Sequence, residues 1–556
     1  MLEASTIPRQ DRSLHVLNRL AFGPRPGDLE RVDSVGADRW VQQQLHPESI
    51  EIPQVFIDQI RTYSTLHMSP VDLFVEYQKP LMQARREAKQ AGGDKADLKG
   101  ATKDERLKER VVMREAVEAR LYRAIFGPRQ LQEVMTAFWF NHFNIFAGKG
   151  LDMVWTGAFE EQAIRPHTMG RFRDLLGATA HHPAMLFYLD NWQNTAPNSP
   201  GAKGKFDGIN ENYARELMEL HTLGVNGGYS QQDVIALAHI LTGWGLPPGR
   251  GGGGGGGGMR RAQTDQQMFP PGLMPRGFGF LFRRRQMARE GQMPARVDPS
   301  GFHFDASRHD PGPKYFLGQT IEGAGEHEGE EALDILARSP QTAKHLSFQL
   351  AQYFVADNPP PALVHRMSQR YLATDGDIRA VLELMFTSSE FWDPRYYAAK
   401  FKTPYEYVVS SVRATAVPVI NFRPLYGTIQ LLGMPLYGCQ TPNGYDMTQE
   451  AWLNPDAMMT RLSFATALAN GNLPLLNPPF EEEDGASGPS VVSKNGRYKG
   501  VNFGGANHVK MDPVDPAAVT SAMGGGLSPN TANAVETAPP QLRAALVLGS
   551  PEFMKR

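Results

Sequence analysis

The 556 residues are enough for one large or two to three ordinary domains. With 41% hydrophobic and 21% charged residues and a formal net charge of -2, the chain has a soluble globular composition and gives no case for nucleic acid or an acidic membrane as partner. No apolar run approaches the ~18 residues that span a bilayer, and a lone cysteine, Cys439, excludes an intrachain disulfide and a cysteine-rich zinc site.

The first residues, MLEASTIPRQDRS, lack an apolar core and do not read as a signal peptide. Helical periodicity then dominates, and the expected fold class is mainly α: a large irregular multi-helix domain with long loops and few short strands. Ser13 to Leu20 and Asp28 to Leu45 read as amphipathic helices separated by the turn FGPRPGD. Residues 71–126 carry long charged helices broken at AGGDKADLKG. After Gly127–Pro128 comes AFWFNHFNIF, apolar on all sides and therefore expected to be buried. Further helices are expected at 158–180, 209–223, 231–242, 329–337, 340–355, 375–387 and 403–415, and a short strand at 301–305. Ser230 and Asp233 have capping-box spacing, and Gly243 marks the stop. Residues 245–300, with eight consecutive glycines and Arg283–Arg285, read as a surface insertion or lid. Residues 1–475 are expected to form the single large domain, 476–536 a loop-rich segment, and 537–556 a C-terminal helix packing back on it.

The segment GINENYARELMELHTLG, 208–224, concentrates polar chemistry. Each residue advances about 100° around a helix, so Asn212, Glu216 and Glu219 fall within about 60° on one stripe. His221 lies about 140° from Glu216 and can approach it only if the helix ends or bends near Leu220. Two carboxylates one turn apart can act as an acid–base pair or ligate a metal. The plainer reading pairs Arg215 with Glu211 and Glu219.

Other polar groups sit in apolar settings. Asn141 and His142 in AFWFNHFNIF need partners if buried. In FHFDASRHDPGPKYFLG, His303, Asp305, His309, Asp310 and Lys314 crowd a turn, which suits a metal or acid–base site, or a turn fixed by Asp310 on backbone N–H groups. Asp190 and Asn191 close the apolar helix in HHPAMLFYLDN. They either terminate it or turn Asp190 toward the cavity of Glu216. HEGEE at 327–331 lacks the second histidine of HExxH, and no GxSxG, GxxxxGK[ST] or placed GxGxxG occurs.

These segments, with LNRLAFGPRPGDLERV, KFKTPYEYVVSSVRA, NGYDMTQEAWLNPDAMMTRL and LVLGSPEFMKR, together resemble a large bacterial family catalogued as domain of unknown function 1800. The resemblance covers nearly the whole chain, and the stretch near 250–300 departs from it. It implies a mainly helical protein in a periplasmic or secreted setting, whose gene often neighbours that of another exported family related to sulfatases and phosphatases. It transfers no site residue.

From the residues themselves the expected function is an exported bacterial hydrolase acting on a polar polymer or conjugate, such as a glycan. Glu216 or Glu219 would act with Asp190 or Asp310, His309 would orient substrate, and Asn212, Arg215, Lys314 and Asn191 would bind it. One alternative is a divalent-metal enzyme with His142, His221, His309 and Asp310 as ligands. Another is a non-catalytic helical scaffold for an exported partner protein.

Overall fold

The structure is a computed structural model that describes residues 6–92, 94–204, 206–247, 299–477, 509 and 511–556. The insertion expected at 245–300, with Arg283–Arg285, lies almost wholly outside the described residues, as do residues 478–508 of the loop-rich segment. The chain is mainly α-helical. Among the described residues, the strands form two small antiparallel pairs. β1 (Trp244–Gly245) pairs with β2 (His303–Phe304), and β3 (Lys314–Phe316) pairs with β4 (Gln319–Ile321). No helix among the described residues is long and apolar enough to cross a membrane.

One contiguous core runs from Ile7 to Met554. At its centre lies the Gln130–His142 helix, whose Leu131, Val134, Met135, Phe138 and Trp139 are all removed from solvent. Each such large side chain contributes about 1.5–3 kcal/mol by burial. Trp139 satisfies its indole N–H on the Thr168 carbonyl at 2.9 Å. Against this helix and Lys103–Phe126 lies a buried ionic cluster. Arg120 donates to Glu160 at 3.0 Å, and Arg165 grips Glu133 at 2.8 and 2.9 Å. A buried charge is costly unless it is paired in this way.

Local signals explain most boundaries. Ser230 and Asp233 form the expected capping box, and Gly243 turns at φ 82°, where a Cβ would meet the Asp305 carbonyl at 2.5 Å. The helix expected at 158–180 is interrupted by a wide turn at Phe159–Ile164 and a tight one at Arg165–His167 before Phe172–His181 resumes. The helix expected at 209–223 is shorter, Asn212–Glu219. Helices at Pro361–Ala373, Arg423–Leu431 and Pro455–Ala469 are additional.

The reading of 476–536 as loop is corrected for its described part, which holds helices Pro516–Ala522 and Pro529–Thr537. Asp-Pro and Ser-Pro pairs can start turns, but they are also a capping residue followed by a first-turn proline. Asp515 accepts from Ala517 N–H at 2.9 Å, and Ser528 from Thr531 N–H at 3.3 Å. The last helix, Pro540–Leu548, packs on Pro455–Ala469, and Lys555 bridges to Phe401.

Candidate functional site

The Pro183–Tyr188 helix ends at Leu189, and Asp190 takes the left-handed conformation at φ 60°, which turns the chain sharply. This corner anchors the start of the Asn212–Glu219 helix. Asn210 donates to the Asp190 carbonyl at 3.3 Å and Asn212 to the Leu189 carbonyl at 3.1 Å. The Lys149 ammonium reaches the Asp190 carboxylate at 2.8 Å and the Tyr188 carbonyl at 2.5 Å. Asp190 therefore both terminates its helix and holds an ion pair.

Glu216 projects from the anchored helix, half-buried. Among the described residues no hydrogen bond or ion pair ties its carboxyl down. Burial, with the charge of Glu219 added, lifts its pKa above the ordinary carboxylate range, and Arg215 opposes this only in part. Glu219 is held by Arg215 at 3.4 Å and by the Tyr229 hydroxyl. Arg215 also takes Glu211 at 3.0 Å, so the ladder along this helix is largely self-paired, as the plainer reading expects.

Asp152, at the start of Asp152–Ala158, completes the corner. It is fully buried, and among the described residues neither carboxyl oxygen has a hydrogen-bond partner. Burial drives its pKa well up, Lys149 counteracts and Asp190 adds to the rise. The Tyr188 phenol is raised by burial and then by the charges of Cys439, Asp152 and Glu216. The corner thus holds two carboxyls biased toward the protonated form and one carboxylate paired with a lysine.

His309, Asp310 and Lys314 belong to a different network. His309 places Nε2 2.9 Å from Glu328 and Nδ1 2.9 Å from the Thr242 carbonyl. Lys314 donates to the other Glu328 oxygen at 2.6 Å and to the Asp310 carbonyl. Ala324 and Gly325 N–H groups also donate to Glu328, at 2.9 and 3.0 Å. Asp310 accepts from Gly312 N–H at 3.1 Å and faces His239 at 2.7 Å. Burial would raise the Asp310 pKa, but Gly312, Lys314 and His239 outweigh it and hold it low. The reading of Lys314 as a substrate contact is therefore corrected, because its ammonium is buried on Glu328. Asn191 is likewise buried, with its amide on the Leu241 and Trp244 carbonyls at 3.2 and 3.0 Å.

The metal set is also corrected. Ending the helix at Glu219 swings His221 inward to His142, with rings 6.0 Å apart, and His345 lies 6.4 Å from His142. His142 faces the Gln349 side chain at 2.8 Å and the His221 carbonyl at 3.1 Å, so neither nitrogen is available. Burial first, then His345, lowers its pKa to about 3. A neutral ring between these two groups requires the Gln349 amide to present its NH2 to it. His309 and Asp310 are engaged elsewhere. Among the described residues no three His, Cys, Asp or Glu side chains are grouped to hold a metal ion.

A family model described as a protein of unknown function (DUF1800) matches residues 15–555. The chain belongs to that family. No curated protein and no solved structure matches it. Within this DUF1800 chain, sequence reading missed Asp152, Lys149 and Glu328. Asp152 sits in the unremarkable run LDMVWTGAF. Glu328 had a signal in HEGEE, whose carboxylates part ways: Glu328 turns to His309, and Glu330 to Arg173 and His181 at 2.7 Å each.

Proposed function

We propose that the protein is an exported hydrolase acting on a polar polymer or conjugate of the glycan type, with its acid–base chemistry at the Asp190–Glu216 corner. The observation that carries this reading is the unlike setting of two carboxyls, on elements that the Asn210 and Asn212 side chains tie together. Among the described residues Glu216 has no ion pair, and burial lifts its pKa, which suits a proton donor to a leaving oxygen. Asp190, ion-paired to Lys149, suits the partner carboxylate that activates water. Glu219 supports the donor through its charge on Glu216, and Asn212 and Arg215 flank the reacting groups. Asp310 and His309 drop out of this mechanism, since each is committed to the Glu328–His239 neighbourhood.

The test is release of reducing ends from a panel of soluble polysaccharides and glycoconjugates. Glu216→Gln should lower turnover at least a hundredfold while the unfolding midpoint stays within a few degrees of wild type. Unchanged turnover would remove Glu216 from the chemistry.

A non-catalytic scaffold for an exported partner is the second reading. What favours it is the mutual pairing of Arg215, His309, Asp310, Lys314 and Asn191. A stoichiometric partner recovered on purification, with no hydrolysis across the panel, would select it.

A further inference from the structure

Away from that corner, the final residues fold back on Pro404–Thr415 and the first helix, Arg9–Leu20. Between them lies a cavity of about 360 Å3, within the range of small-molecule sites. Its walls include Leu14, Tyr397, Met523 and Phe553, and Lys402 and Arg556 are its buried cations. Lys402 is 4% exposed, with Nζ 4.0 Å above the Phe553 ring. Among the described residues its ammonium has no hydrogen-bond acceptor.

The surrounding charge does not balance. Lys402 and Arg556 line the cavity, and Arg19, Lys400 and Arg461 are buried close to them without lining it. Lys400 is matched by Asp357, and Arg556 by Glu406 at 3.0 Å. Among the described residues that leaves three cations without an ion pair of their own, sharing the more distant charge of Glu406. Arg19 and Arg461 each give one N–H to a carbonyl, at 2.6 and 2.8 Å, while among the described residues two nitrogens on each find no hydrogen-bond partner. Glu552, the acidic residue on the cavity wall, is turned to Ser528 N–H at 3.2 Å and the Thr531 hydroxyl at 3.1 Å. His15 faces the Phe391 carbonyl at 3.0 Å, and burial, then Arg19, keeps its pKa low. Lys555 is exposed at the edge. An unpaired buried cation is costly, and an anion in the cavity would offset that cost.

We propose that this cavity binds a small organic anion, a carboxylate with an apolar body. Its carboxylate sits on the Lys402 ammonium, beside the Arg556 guanidinium that Glu406 already pairs, and its hydrocarbon part lies against Leu14, Met523 and Phe553. The mostly apolar wall disfavours inorganic phosphate, whose oxygens would need donors on every side. The site does not depend on the proposed hydrolysis.

Isothermal titration calorimetry with benzoate, benzyl alcohol and inorganic phosphate tests this on the full chain. Benzoate should bind once per chain, and at least tenfold tighter than either of the others. Lys402→Met and Lys402→Gln should each weaken benzoate at least tenfold, without lowering the unfolding midpoint, because they remove an unpaired buried charge. Burial holds the Lys402 pKa at about 7 against the pull of Glu406, with Arg556 and Arg461 adding to the depression. Wild-type affinity should therefore fall as pH rises through that value, and the variants should lack that fall. No benzoate binding, equal binding of benzyl alcohol or phosphate, or unchanged binding in both variants would overturn the assignment. The wild-type comparison decides even if a variant fails to fold.

Discussion

Glu328 and Asp152 are both fully buried carboxyls, held in opposite ways. Glu328 collects Lys314, His309 and two backbone N–H groups. Asp152 collects nothing among the described residues, and burial lifts its pKa well up. A carboxyl surrounded by donors fixes a turn and has little freedom left for chemistry. A carboxyl left without them is destabilising where it sits, so the fold tolerates it at some cost. The same contrast separates His309, Asp310 and Lys314 from the Asp190–Glu216 corner, and it directs the functional reading to the corner.

The largest expected effect falls on the satisfied member. Glu328→Ala strands Lys314 and two N–H groups, and should cost about 3–5 kcal/mol in a urea unfolding curve. A loss below about 1 kcal/mol would mean that the network is ornamental, and the contrast fails. Asp152→Asn probes the other member. Its folded pKa lies above the unfolded value, so the native state holds the extra proton. Stability then falls by up to about 1.4 kcal/mol per pH unit as pH rises from about 4 through the folded pKa. The variant should lack that slope and be no less stable at pH 7. Parallel wild-type and variant curves would show that Asp152 has a partner after all. Glu330 gives the smallest effect. Burial opposes its ionisation, but His181 and Arg173 outweigh it and lower its pKa to about 2. Its stabilisation is present above the unfolded value of about 4.3 and is lost as pH falls toward about 2. Because the pair is part-exposed, Glu330→Gln should cost only about 1 kcal/mol at pH 7.

The helical architecture was legible because periodicity and caps are local. Ser230, Asp233 and Gly243 act where their spacing puts them. The segment 208–224 was correctly singled out as polar, yet where its helix ends decides what it does. Stopping at Glu219 sends His221 into the core and leaves Glu216 at the edge. The metal set failed because residue type says nothing about which nitrogens are already taken, as at His142 and His309. Lys402 could not be found from its neighbours, since nothing in KFKTP marks it as buried. Its environment comes from Leu14 and Asn18 early in the sequence and from Phe553 and Arg556 late in it. Long-range convergence of that kind has no local signature.

The short pairing of β1 with β2 carries a consequence for how this fold can vary. Gly245 and His303 are register partners, so the chain departs and returns at a single pinned point. The helical body already holds those two ends together. The closure entropy of whatever is strung between them changes only logarithmically with its length. A change of length at that junction therefore costs the helical body little in closure entropy.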